Sequence, residues 1–322
     1  MPPSNRSSSQ PPPPAPPRGI TLLGGPSTGK TTFLAALQIA LLRDKDLDWV
    51  LEGNNQASTQ AMVRFMDEMT HEHMFPRATV AQMENYKWSL TGDKRQVWVW
   101  DRWWFRRRAR TTKIRLDLVD GPGGAAKASN IMSAGLGTQL LASMADSGGL
   151  IIFFDPLTEM EHGHSFQHLY GALTVLLSQV GSDGKLPHHV AVCITKFDSI
   201  PVFRSARALR MIQRAPEGQR FPHIPERYAE QFLERLISLS RSDDASLILP
   251  MLKRTFHEDR IRFFVTSAIG FYVDSPGGMF DSDDYQNHIP SKPRDRIRGG
   301  IYPINVVEPV LWLGKLVAKA GS

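Results

Sequence analysis

Short apolar runs recur along the chain, between longer stretches rich in helix-forming residues. The runs at 150–154 and 189–194 are continuous, which is typical of parallel strands buried on both faces. Shorter or partly alternating runs at 20–23, 113–120 and 260–265 predict three further core strands, and residues 86–90 form a strand-like run that ends at Thr91-Gly92. The pattern therefore predicts an α/β protein.

Helices are predicted between these strands, in stretches of strong helix formers with few glycines and prolines. They cover residues 32–42, 56–71, about 138–145, 165–180, 204–213, 225–239, 245–256 and 303–318. In the second of these helices, the apolar residues Ala61, Met62, Phe65 and Met69 are predicted to face inward. Residues 44–48 read as a polar turn.

The domain organisation follows from length and local composition. The 322 residues suit one large domain with insertions better than two small domains. Residues 1–18 are rich in proline and serine and predict a disordered tail. The domain is expected to span 19–322, with insertions at about 44–74, 93–112, 203–258 and 270–300.

Residues 93–112 have an unusual composition and predict a long β-ribbon or loop between two strands. Tryptophans and arginines interleave over residues 97–110. Such a stretch can dock a protein partner, grip nucleic acid by stacking and phosphate contact, or lie on an acidic membrane surface. The structural alternative is that the tryptophans pack onto the body of the domain and the arginines are solvated. Of the possible partners, nucleic acid and a membrane surface are not favoured.

Charge, cysteine content and hydropathy limit which partners and which cellular location the sequence predicts. The formal net charge is +6 and the sequence pI is about 9.5, but much of the excess lies in the arginine cluster, so composition alone does not indicate nucleic acid. The one cysteine, Cys193, lies in an apolar run and is expected to pack in the core. No apolar run is long enough for a membrane span, and we expect a soluble cytoplasmic protein.

A phosphate-binding loop is predicted between the first strand and the first helix. Gly24, four further residues and then Gly29-Lys30-Thr31 have the P-loop spacing. The glycines allow close backbone approach to a phosphate, Lys30 supplies a cation for the β and γ phosphates, and Thr31 offers a hydroxyl to Mg²⁺. An ordinary glycine turn is the alternative. The predicted nucleotide-binding residues here are Gly24, Gly25, Pro26, Ser27, Thr28, Gly29, Lys30, Thr31 and Thr32.

A second phosphate-facing element is predicted where the strand at 113–120 ends. Asp120 can hold Mg²⁺ through water, and the backbone N–H of Gly123 can meet a γ phosphate, although Asp-Gly-Pro-Gly is also a plain turn. Thr79, in the loop that precedes the second strand, is the candidate for a further Mg²⁺ ligand, or else an ordinary loop threonine. Arg77 is a candidate arginine finger or a surface arginine.

The ends of two later strands carry residues suited to a guanine base. A carboxylate at Asp198 can accept hydrogen bonds from N1–H and the exocyclic amine of guanine, which adenine cannot offer, while the stem of Lys196 lies over the base. Thr195 opens this segment, and backbone N–H groups at Ser267 and Ala268 can bind the guanine O6. The nearby His162, His164 and His168 lack a matching acid set and are expected to be solvated.

Taken in order, residues 24–31, 120–123, 195–198 and 266–268 resemble motifs of the Ras-like, TRAFAC-type P-loop GTPase superfamily. The fuller pattern, which adds residues 75–79, the apolar strand that ends at Asp155 and the closing segment at 303–312, is similar to bacterial double-GTPase-type proteins. The resemblance implies a doubly wound, mostly parallel sheet flanked by helices, with nucleotide at the carboxyl ends of the strands. It implies a molecular switch that binds GTP or GDP with Mg²⁺ and signals to a protein partner through its switch segments or residues 97–110.

Two departures qualify the expected activity. Thr195 stands where the superfamily more often has asparagine, and Gly124 stands where hydrolysing members often have a glutamine that orients the attacking water. A slow GTPase is therefore expected, with Lys30, Arg77 and Thr79 as the candidate catalytic residues. The alternatives are a nucleotide-stabilised interaction module that does not hydrolyse GTP, and an ATP-dependent P-loop enzyme that acts on nucleic acid.

Overall fold

The computed structural model describes residues 19–77, 85–101, 104–119, 144, 146–177, 184–213 and 221–320. The predicted tail at 1–18, most of the segment at 125–148, and the candidate residues Thr79, Asp120, Gly123 and Gly124 lie outside these residues.

The described residues form one main sheet and a small hairpin. The strands of the main sheet are β1 (Gly19–Leu23), β2 (Trp49–Gly53), β3 (Asn85–Asp101), β4 (Trp104–Val119), β5 (Ser147–Phe154), β6 (His189–Ile194) and β7 (Ile261–Val265), and those of the hairpin are β8 (His288–Ile289) and β9 (Arg296–Ile297). The main sheet has the order β2-β3-β4-β1-β5-β6-β7. Strand β1 pairs in parallel with β4 and β5, and the parallel pairing continues through β6 to β7.

Helices cover both faces of this sheet. They are α1 (Lys30–Arg43), α2 (Gln56–Thr70), α3 (Pro156–His162), α4 (Ser165–Leu177), α5 (Ile200–Ala208), α6 (Glu226–Ile237), α7 (Ile248–Thr255) and α8 (Val307–Ala320), with short 3-10 turns at Asp243–Leu247 and Glu258–Arg260. Two apolar clusters fill the space, one beneath α1, α2 and α8 and the other beneath α4 to α7. The predicted fold class, a doubly wound and mostly parallel α/β sheet, is confirmed.

Most predicted elements are present with shifted ends. The inward face of α2 is confirmed, because Ala61, Met62, Phe65 and Met69 are all buried. Cys193 is buried as expected, and burial raises the pKa of its thiol. Among the described residues no helix combines the length and the apolar character needed to cross a membrane.

The sheet differs from the prediction at its β2 edge. Strand β2 follows the predicted turn at 44–48 and pairs antiparallel with β3. Only Leu51 of β2 is buried, so the strand has a weak hydrophobic signal in the sequence. Strand β3 does not end at Thr91-Gly92. After a register shift between Gly92 and Arg95, it continues beside β4 as the predicted ribbon, which turns back where Asp101 pairs with Trp104.

The segment at 270–300 is more structured than the loop expected from its Asp, Pro and Gly content. It contains the hairpin formed by β8 and β9, in which His288 pairs with Ile297 and Ile289 with Arg296. The hairpin also contacts the chain just after α2, because Ile297 N–H donates to the carbonyl oxygen of His73 at 2.7 Å. The segment is thereby fixed to the body of the domain.

Candidate functional site

The predicted phosphate loop connects β1 to α1 and has the backbone shape that its sequence requires. Gly29 caps α1 with a φ of 93°, a conformation that glycine adopts without strain. A Cβ atom at Gly24 would lie 2.7 Å from Thr28 Oγ1 and 3.0 Å from Phe153 Cβ, so only glycine fits there. Ser27 also has a positive φ, of 60°, which is a strained conformation for a non-glycine residue.

Lys30 is the buried cation of this loop. Its side chain folds back so that Nζ donates to the carbonyl oxygens of Gly24 and Gly25, both at 2.9 Å, and Thr28 Oγ1 also donates to Gly25 O at 2.9 Å. These bonds hold the loop in a closed curve at the start of α1. Because the first N–H groups of a helix lack intrahelical partners, such a curve is suited to binding an anion.

Asp198 lies after β6 in an almost fully buried position. Ser267 Oγ donates to its Oδ1 at 2.5 Å, and Ser267 Oγ in turn accepts from Gly270 N–H at 2.8 Å. Burial raises the pKa of Asp198, and the hydrogen bond from Ser267 opposes that rise. The backbone N–H of Ser267 donates to Ile304 O at 3.0 Å, so the hydroxyl of Ser267 is the group directed at Asp198.

Lys196 has a positive φ of 59° and is held from below by a buried carboxylate. Its Nζ donates to Asp155 Oδ2 at 2.5 Å, and Thr158 Oγ1 donates to the same oxygen at 2.6 Å. The other oxygen of Asp155 caps α3 by accepting from Leu157 N–H at 3.0 Å. Thr195 is fixed to the end of β5, where its hydroxyl donates to Phe154 O at 3.1 Å.

These two groups of residues meet in one cleft of about 460 Å³ at the carboxyl ends of the parallel strands. The predicted site residues that line it are Pro26, Ser27, Thr28, Gly29, Lys30, Thr31, Thr32, Arg77, Thr195, Lys196, Asp198 and Ala268. Gly24 and Gly25 do not line the cleft, but their carbonyl oxygens accept from Lys30, and Ser267 lies behind Asp198. The cleft thus has a cationic, N–H-rich end and an end with a buried carboxylate.

Comparisons with known proteins give only distant structural matches. No protein-family model matches the chain, and no curated protein sequence is similar to it. The signal recognition particle receptor SRb-GTP/SRX complex from Chaetomium thermophilum matches at 14% identity over 82% of this chain and 94% of that chain, with a TM-score of 0.36. The S. cerevisiae Ski7 GTPase-like domain bound to GTP matches at 14% identity, over 95% of this chain, with a TM-score of 0.40.

The same Ski7 domain bound to GDP and inorganic phosphate matches at 12% identity, over 92% of this chain and with a TM-score of 0.40. The chain spans 50% and 49% of the length of the two Ski7 chains. Similarity of this extent carries no argument about what the chain binds.

Arg77 lies at the mouth of the cleft and is attached to α2. Its backbone N–H donates to Glu68 Oε2 at 3.3 Å, and its Nε lies 3.7 Å from Glu68 Oε1. The arginine side chain is 76% exposed, whereas that of Glu68 is 7% exposed. Glu68 also accepts from Arg294 at 3.1 Å, so one buried carboxylate joins the Arg77 loop to the segment at 270–300.

Several cleft residues were not predicted as site residues, namely Phe75, Asp155, Thr158, Glu161, His288 and Asp295. Of these, Asp155 carries the clearest sequence signal, an acid directly after a buried strand and before a proline, which is typical of a helix N-cap. His288 and Asp295 carry no such local signal, because they reach the cleft only through the folding of the segment at 270–300.

His168 also differs from its prediction, because it lies against the phosphate loop. His162 and His164 are exposed as expected, but a Cβ atom at Gly25 would lie 3.3 Å from His168 Cδ2. Burial lowers the pKa of His168, and the charges of His164 and Lys30 lower it further. This imidazole is therefore biased toward its neutral form beside the cationic end of the cleft.

Proposed function

We propose that this chain binds guanine nucleotides with Mg²⁺ and hydrolyses GTP slowly to GDP and phosphate, as a molecular switch. One observation carries the proposal: the glycine-rich loop at Lys30 and the buried carboxylate of Asp198 line the same cleft. The loop suits the phosphates, and Asp198 suits N1–H and the exocyclic amine of guanine. Lys196 supports the base, and the backbone N–H of Ala268 is proposed to read O6, because the N–H of Ser267 already donates to Ile304 O.

The donors available for Mg²⁺ fit this assignment in part. Thr31 lies in the cleft in the first turn of α1, and its hydroxyl oxygen is a suitable ligand for a hard cation. Thr79 and Asp120, the other proposed ligands, lie outside the described residues, as does Gly123, the proposed γ-phosphate contact. When bound, Mg²⁺ would neutralise charge on the β and γ phosphates.

The test is a comparison of nucleotide affinity and turnover in the full chain. GTP, GDP and ATP compete for the nucleotide-free protein in Mg²⁺, and phosphate release is followed at steady state. We expect guanine nucleotides to bind far more tightly than ATP and GTP to be hydrolysed slowly. Preference for ATP would favour an ATP-dependent enzyme and contradict the role of Asp198, whereas tight binding without turnover would favour the non-hydrolysing module.

A protein partner is proposed through the β3–β4 ribbon or the switch segments. Asn85 at the start of β3 pairs with Val119 at the end of β4, so the ribbon connects the segments that contain Thr79 and Asp120 to residues 97–110. Deleting residues 97–108 and replacing them with a short turn should abolish partner capture. The same deletion should leave GDP affinity unchanged.

Replacing Ser267 with alanine is expected to weaken GDP binding about 5- to 30-fold, because it removes a hydrogen bond to a buried charged group. Burial raises the pKa of Asp198 and Ser267 opposes the rise, so the substitution should raise that pKa further. A protonated carboxyl cannot accept both guanine N–H groups. The loss of affinity should therefore be greater at pH 6 than at pH 8, as measured by calorimetry.

The matched control for Ser267→Ala is Ser205→Ala on α5, where the hydroxyl donates to Pro201 O at 2.9 Å, away from the cleft. It should leave GDP affinity unchanged at both pH values. A Ser267→Ala protein with the wild-type pH profile would contradict the positioning role of Ser267.

Replacing Arg77 with alanine is expected to slow single-turnover GTP hydrolysis at least about tenfold while nucleotide affinity is kept, because a finger acts on charge that develops in the transition state. The exposed side chain of Arg77 can swing from Glu68 toward the phosphates. Arg64→Ala on the exposed side of α2 is the control. Unchanged single-turnover hydrolysis in Arg77→Ala would rule out the finger.

A further inference from the structure

The β8–β9 hairpin forms a wall of the cleft next to Asp198 and Lys196. His288 and Asp295 line the cleft together with both residues. Electrostatic effects reflect this proximity: burial alone would raise the pKa of Asp295, but its hydrogen bond with His288 and the charge of Lys196 lower that pKa below its usual range. The hairpin thus lies at the end of the cleft that contains Asp198 and Lys196.

The imidazole of His288 has a defined orientation. Its Nε2 lies 2.9 Å from Asp295 Oδ2, and Asp295 Oδ1 accepts from Ser291 N–H at 3.1 Å. The His288 ring packs edge to face against Phe75, with the ring centroids 5.6 Å apart. Because Nε2 faces a carboxylate, it carries the proton, and Nδ1 is the hydrogen-bond acceptor of the neutral ring.

Hydrogen bonds within the chain hold the hairpin on two sides. On one side, the guanidinium of Arg294 donates to Glu68, Glu72 and the carbonyl oxygen of Phe75 at 3.1–3.4 Å. On the other, the buried Asn287 donates to Ile269 O at 3.2 Å, directly after Ala268 in the chain. A side chain on so fixed a support can contact a ligand with little loss of conformational entropy.

We propose that His288 is a further nucleotide-contacting residue, and that its Nδ1 accepts a hydrogen bond from the nucleoside part of the ligand. This inference rests on the proposed function and deepens it. Two groups of a guanine nucleoside near Asp198 can donate such a bond: the exocyclic amine of the base and a ribose hydroxyl. Asp295 is the positioning residue that keeps Nδ1 turned toward the ligand.

The test measures the affinities of four diphosphates for the full chain, GDP, IDP, 2′-deoxy-GDP and 3′-deoxy-GDP, in the wild type and in His288→Phe. Phenylalanine keeps the ring against Phe75 but has no acceptor. GDP affinity should fall about 5- to 10-fold, as for one lost hydrogen bond. The ratio of GDP affinity to the affinity for one analogue should also fall by the same factor in the variant. That analogue is IDP if the exocyclic amine donates to His288, or one of the two deoxy-GDPs if a ribose hydroxyl does.

Controls separate this role from folding and from general effects on the segment. His257→Phe, before the 3-10 turn at Glu258–Arg260, and Asp284→Asn, in the Arg298–Asp284 ion pair of the same segment, lie outside the cleft and should leave all four affinities unchanged. Asp295→Asn should weaken GDP binding less than His288→Phe and with the same pattern among analogues. Melting temperatures without nucleotide should match the wild type.

Two results would overturn the inference while the proposed function stands. In one, His288→Phe binds GDP as tightly as the wild type. In the other, it loses affinity equally for all four diphosphates, so that the imidazole acts through packing alone. A wild-type protein that binds no guanine nucleotide would instead refute the proposed function itself, and the inference with it.

Discussion

Replacing Lys30 with alanine is expected to lower GTP and GDP affinity about 100-fold or more, the largest loss for any single side chain in the cleft. The ammonium group donates to Gly24 O and Gly25 O at 2.9 Å, so it both shapes the phosphate loop and lies ready to meet the phosphates. A charged hydrogen bond contributes about 1.5–3 kcal/mol, and Lys30 is proposed to make more than one to the nucleotide. Calorimetry with the nucleotide-free protein measures the effect.

The matched control is Lys185→Ala, which removes an exposed lysine that donates to Lys253 O at 2.8 Å, away from the cleft. It should bind GDP as the wild type does. Because Lys30 is buried, the melting temperature of Lys30→Ala without nucleotide must accompany the titration. A folded Lys30→Ala protein with full affinity for GTP would refute the phosphate site.

Replacing Asp198 with asparagine is expected to lower GDP affinity roughly 100-fold and to favour xanthosine diphosphate instead. The carboxylate accepts from two guanine N–H groups, whereas the amide of asparagine accepts one hydrogen bond and donates another. Xanthine has a carbonyl oxygen where guanine has its amine, so the amide matches xanthine and opposes guanine. Ser267 can still donate to Oδ1 of the asparagine, which preserves the local fold.

The measurement is a parallel titration of Asp198→Asn and wild type with GDP and xanthosine diphosphate. Asp259→Asn, in the 3-10 turn before β7, changes the same side chain outside the cleft and should keep the wild-type preference. An Asp198→Asn protein that still prefers GDP by the wild-type margin would exclude Asp198 as the base-reading group.

The core strands and the backbone shape of the loop between β1 and α1 could be predicted from the sequence because their signals are local. A buried parallel strand needs an unbroken apolar run, and the close approach of Thr28 and Phe153 to Gly24 demands glycine at that position. The end of β6 was equally clear, since Asp198 follows the last strand residue, Ile194, after only three residues. What these predictions share is that a few neighbouring residues determine the outcome.

The rest of the cleft could not be predicted because it depends on contacts between distant segments. His288 and Asp295 reach the cleft through a hairpin of two-residue strands, which is fixed by the bond from Ile297 N–H to His73 O. Neither strand has a hydrophobic period long enough to recognise. Strand β2 was missed for a related reason, since it contributes only Leu51 to the core.

The length of the β3–β4 ribbon has a consequence for electrostatics. At about 3.3 Å per residue, the backbone of β3 extends roughly 50 Å from Asn85, which pairs with Val119, to Asp101 at the far turn. The screening length at physiological ionic strength is only about 8 Å. Solvent ions therefore screen almost completely any electrostatic interaction between charges on the far part of the ribbon and a phosphate in the cleft. Any influence of that region on nucleotide binding must pass along the paired strands themselves.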